Sequence, residues 1–162
     1  MLVFNHTGHV AMWNYVVNTL SSITEETFRT DEGIDTILKT NIISLKKEFI
    51  LKNYTHSIKC ACFACDYAHK VKYAKALKVI NNTTRCNYCP LKGIDTDYDC
   101  MNGLDRFSAE LFETTISNIY IIHKSSKIDV SHINNFLSSL QEVISTVKLI
   151  RDFPVKNNIK TI

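Results

Sequence analysis

At 162 residues, with 45% apolar and 22% charged side chains and a net charge of only +3, the chain is long enough to bury one core and has the make-up of a single globular domain over 1–162. No apolar run approaches the roughly 18 to 20 residues a membrane-crossing helix needs, so no membrane partner is expected. Four glycines and two prolines are too few for the turns of a many-stranded sandwich or barrel. That leaves an all-α fold, a small bundle of about five helices.

The opening MLVFNHTGHVAMW carries neither a basic leader nor a small-residue cleavage site, so a reducing compartment is expected. In HVAMWNYVVNTL, Val10, Trp13, Val16, Val17 and Leu20 fall on one helical face and predict a helix from about His9 to Leu20. Trp13 reads as core, and His9 as a residue that caps or packs beside it. Ser22, three residues before Glu25, and Thr30, before DEGID, resemble helix starts. Ile34, Ile37, Leu38, Leu45, Phe49 and Ile50 continue the helical period, with a break expected near Thr40 and Asn41.

Two cysteine clusters follow, CACFACDYA from Cys60 and CNYCPL from Cys86. Between them, DYAHKVKYAKALKVI places Tyr67, Val71, Ala74 and Leu77 on one side of a predicted amphipathic helix and Lys70, Lys72, Lys75 and Lys78 on the other. From Asn102 onward, Leu104, Phe107, Leu111, Ile116, Ile119 and Ile122 predict a further helix. A last one runs from Asp129 or Ser131 to Asp152, ended by Pro154.

Cys62, Cys65, Cys86 and Cys89 make two CxxC pairs with twenty residues between them. Two thiolates on one tight turn reach the same ion, and two such turns complete a tetrahedron, so a structural four-cysteine site for Zn2+ is expected. A disulfide pairing needs an oxidising compartment, an iron–sulfur cluster takes the same four thiolates, and unligated buried thiols fit paired spacing poorly. Of the two spare cysteines, Cys60 and Cys100, the second is an alternative metal ligand; His56 and His69 also lie close in sequence. No HExxH, HxE with PCxxC, GxSxG or phosphate-binding glycine loop occurs, and four thiolates close a coordination sphere. A binding protein is therefore expected, not an enzyme.

Charge is unevenly spread. Residues 39–92 carry eleven basic and two acidic side chains, whereas 93–113 carry one and six. Lysines interleaved with Tyr67 and Tyr73 are ingredients of nucleic-acid binding. However, lysine outnumbers arginine ten to one in the basic block, and arginine is the better base reader. A solvated helix face is the competing reading.

The elements HVAMW, CFACDYA, CNYCPL, Cys100, GLDRF and IRDFPV occur in that order over most of the chain. In this the chain resembles a group of small bacteriophage-encoded hypothetical proteins, departing from them in Phe107, where tryptophan is common, and in a longer, lysine-rich stretch between the cysteine pairs. The resemblance implies a phage or prophage origin and action in the host bacterial cytoplasm. It further implies a protein that works by binding, inhibiting a host or anti-phage defence component or capturing a nucleotide signal. A nucleic-acid-binding zinc protein is the alternative.

Overall fold

The computed structural model describes residues 2–54, 58, 62–76, 85–94, 100 and 130–162. Cys60, His56, Lys78 and the helix expected from Asn102, with its GLDRF segment, lie outside the described residues. The fold is all-α. The described helices are α1 (His6–Ser21), α2 (Asp31–Lys39), α3 (Ile42–Asn53), α4 (Phe63–Ala76) and α5 (Val130–Asp152), with single 3-10 turns at Glu25–Arg29 and Arg85–Tyr88. None of these helices is long and apolar enough to cross a membrane.

Helix α1 starts earlier than its apolar stripe predicts, because Asn5 caps it: Oδ1 accepts from the Gly8 N–H at 2.7 Å. His9 is therefore no cap. It lies in the second turn, buried with Met12, Trp13, Val16 and Leu20. The expected start at Ser22 is displaced to Thr24, whose N–H donates to Thr27 Oγ1 at 3.0 Å; the Ser22 hydroxyl instead donates back to the Thr19 carbonyl. Thr30 caps α2 as expected, accepting from the Gly33 N–H at 3.0 Å. Asn41 breaks the chain into α3 by accepting from Ile43 and Ser44.

The core forms where α1 packs on α5, α3 and α4. Phe136, Leu140, Val143, Val147 and Ile150 recur on one face of α5, all nearly inaccessible to solvent. Phe28, from the Glu25–Arg29 turn, meets Phe136 edge-on with ring centroids 5.4 Å apart.

Two short pairings tie the ends of this bundle. Strand β1 (Val3–Phe4) pairs in parallel with β2 (Lys160–Thr161), Val3 opposite Lys160 and Phe4 opposite Thr161. Separately, Leu91 and Val155 form an antiparallel bridge: the Lys92 N–H donates to the Pro154 carbonyl and the Lys156 N–H to the Pro90 carbonyl, both at 2.7 Å. The CPL of the second cysteine cluster is thus bonded to the FPV that follows α5.

Candidate metal centre

Each cysteine pair sits on a turn made by its own spacing. Cys62 stands just before α4, its Sγ accepting from the Cys65 N–H at 3.3 Å and its carbonyl from the Asp66 N–H at 3.0 Å. The second pair spans the Arg85–Tyr88 turn, where the Cys89 N–H donates to the Cys86 carbonyl at 3.1 Å. The Leu91–Val155 bridge then pins that turn against the end of α5, and α4 packs directly on the turn.

The outcome is one small cavity, about 30 Å3, walled by Cys62, Cys65, Cys86, Cys89 and Cys100 and closed by α1 side chains. None of the five forms a disulfide among the described residues. Cys62 and Cys89 are buried, and the other three are half-buried. Among the described residues no three His, Cys, Asp or Glu side chains are already set at coordinating positions.

The thiols perturb one another. The Cys65 thiol is pushed up to about 12 chiefly by Cys100 beside it, with burial adding, while Cys62 acts in the opposite direction. Cys62 is raised well above the ordinary thiol range by Cys65 and by burial. Burial is the main cause for Cys89, which rises to about 11. Crowded, desolvated sulfurs resist ionising, and a cation placed among them removes that resistance. The donor set is soft sulfur, which suits zinc.

Three residues of the α1–α3 wall were not legible as site residues. His9 and Trp13, one turn apart on α1, both line the cavity. Burial holds His9 at about 4, so its ring is neutral near pH 7. The Ile150 and Arg151 carbonyls, at the end of α5, face the imidazole, but neither ring nitrogen completes a hydrogen bond. Lys46 of α3 is buried, with its ammonium 5.1 Å from the Trp13 ring centroid. One signal was available: Lys46 lies four residues from both Ile42 and Ile50, on the apolar face of its helix.

The lysine face turns out differently from the pattern. On α4 the buried positions are Phe63, Ala64, Asp66 and Ala68, whereas Tyr67 and Val71 are only half-buried and Ala74 is exposed. The predicted stripe is rotated because the Cys62–Cys65 turn and small alanines draw the start of α4 against the cavity and α1. Lys70 is exposed and paired with Asp66, Lys72 is half-buried, and Lys75 falls within α4. Tyr67 packs edge-on against Phe4, ring centroids 5.8 Å apart, while Tyr73 stands 64% exposed with His69 beside it at 4.4 Å. His69 is not among the residues around the thiols. A second, wider cleft of about 290 Å3 lies between Tyr54, Phe63, Tyr67 and the Asp66–Lys70 pair.

No protein-family model matches the chain, and no curated protein or solved structure gives a significant match.

Proposed function

We propose that the chain is a non-enzymatic binding protein whose helices are tied together by a structural Zn2+ held by Cys62, Cys65, Cys86 and Cys89, with Cys100 the alternative ligand. The observation that carries this reading is the gathering of five thiols, from separate segments, around one small cavity. Four sulfurs leave the ion no open position, so its contribution when bound is to cross-link the start of α4 to the Arg85–Tyr88 turn. That turn is already bonded to the end of α5, so one ion stiffens three parts of the molecule.

The resemblance to small phage proteins supplies the setting: action in the bacterial cytoplasm, by binding and inhibiting a host or anti-phage defence component, protein or nucleotide signal. The candidate surface is the part of α4 that carries Lys70, Lys72 and Tyr73; Lys75 and Lys78 are assigned to it from the sequence pattern alone. Capture from bacterial lysate with and without nuclease tests this. We expect a partner retained after nuclease and weakened by replacing Lys70 and Lys72 with alanine in a folded protein.

A second reading, nucleic-acid binding by the same residues, is favoured by one feature, the exposed Tyr73 ring three residues from Lys70. Against it, the Lys70 charge is already engaged by Asp66 on its own helix. Capture that vanishes with nuclease, or affinity falling steeply with salt, favours this reading over the first.

A further inference from the structure

His9, Trp13 and Lys46 are each at most 2% exposed. The Trp13 indole nitrogen lacks a hydrogen-bond partner, neither His9 ring nitrogen completes a bond although the Ile150 and Arg151 carbonyls face the ring and compete with sulfur for its N–H, and among the described residues Lys46 has no ion pair. Buried polar groups without partners are costly, and a buried unpaired cation more so. These three are contiguous: His9 and Trp13 line the thiol cavity, and Lys46, behind that lining, stands over the Trp13 ring.

The chemistry of the wall says what it faces. An indole N–H and an ammonium only donate, and a neutral imidazole has one N–H to give. A neutral thiol accepts weakly. A thiolate accepts well, and four thiolates on a divalent ion carry a net charge of −2 in a largely buried site.

Building on the metal reading above, we infer that His9, Trp13 and Lys46 form a donor shell around a tetrathiolate metal centre, the indole and imidazole N–H groups donating to coordinated sulfur and the ammonium offsetting part of its negative charge. Trp13 has no lone pair to offer a metal, and five cysteines already exceed four positions, so the wall is built to support ligands and not to supply them. This gives the His9 and Trp13 pair a purpose that core packing alone does not. Partners of this kind orient the ligands and set the affinity of metal sites.

The test begins with the wild-type protein loaded with 113Cd2+, its metal content measured on the same sample. The shell predicts resolved couplings from cadmium to the Trp13 indole proton and to one His9 N–H proton, transmitted through N–H···S bonds. It also predicts that Lys46→Met and Trp13→Phe each weaken Zn2+ binding roughly 10-fold or more in chelator competition, and that iodoacetamide alkylates the zinc-loaded thiolates faster in both. Lys46→Arg, which keeps the charge, restores most of the affinity. A loaded, folded protein with no coupling, together with Lys46→Met binding zinc as tightly as wild type, overturns the shell while leaving the metal reading intact. A His9 nitrogen found bonded directly to the metal overturns its assigned role as donor. If no metal is taken up, the metal reading fails first and the shell with it. The couplings need no variant, so they decide the question even where a substitution unfolds the chain.

Discussion

Gly8 sits where α1 crosses the start of α4. A Cβ there would lie 2.7 Å from Phe63 Cε1, and Phe63 cannot easily give way, being buried edge-on against Tyr54 with ring centroids 4.9 Å apart. Alanine for glycine within a helix ordinarily stabilises by roughly 0.5 to 1 kcal/mol. Overpacking a tight contact costs about 1 to 3 kcal/mol. The second effect should win, so Gly8→Ala lowers stability by about 1 to 2 kcal/mol in urea unfolding. Because Phe63 is next to Cys62, the same variant should also weaken metal binding. Gly93 repeats the arrangement at the second cluster, where a Cβ would stand 2.6 Å from Phe153 Cε1.

At the scale of elements, the caps and the Leu91–Val155 bridge are separable contributions. Asn41 accepts two backbone N–H groups at the start of α3 and is not among the residues that line the thiol cavity. Asn41→Ala should therefore cost about 1 kcal/mol of stability and leave metal affinity unchanged. Leu91 is 1% exposed, lines the cavity and carries the bridge. Its replacement by alanine should cost about 2 to 5 kcal/mol and loosen the Cys86–Cys89 turn, measurable as faster metal release to a chelator. Comparing the two variants shows whether the bridge serves the site or only the fold. Helices α1 and α5 and the break before α3 were legible because each rests on a local period or a cap within a few residues. The bridge was not: Pro154 reads locally as a helix stop, and nothing near it names Pro90 and Leu91 as partners. The tilt of α4 was also hidden, since alanines at the buried positions contribute little to an apolar stripe.

For the whole molecule, the thiol spacing said which residues gather but not what surrounds them. The four expected cysteines and Cys100 do meet around one cavity. His9 and Lys46 escaped notice as parts of its surroundings because a polar residue on an apolar face is ordinarily read as an edge residue or a packing compromise, and its meaning depends on which other helix it meets. In the proposed metal centre a single ion ties the start of α4 to the Arg85–Tyr88 turn and, through the Leu91–Val155 bridge, to the end of α5, so losing the ion should loosen all three together. The most direct check is elemental analysis of the purified, reduced protein, paired with its thermal unfolding before and after a strong chelator. One equivalent of zinc per chain and a melting temperature that falls by about 10 °C or more on chelation, on the order expected when several kcal/mol of metal-linked stability are removed, is the result predicted. Protein free of metal, melting at the same temperature with and without chelator, would contradict it.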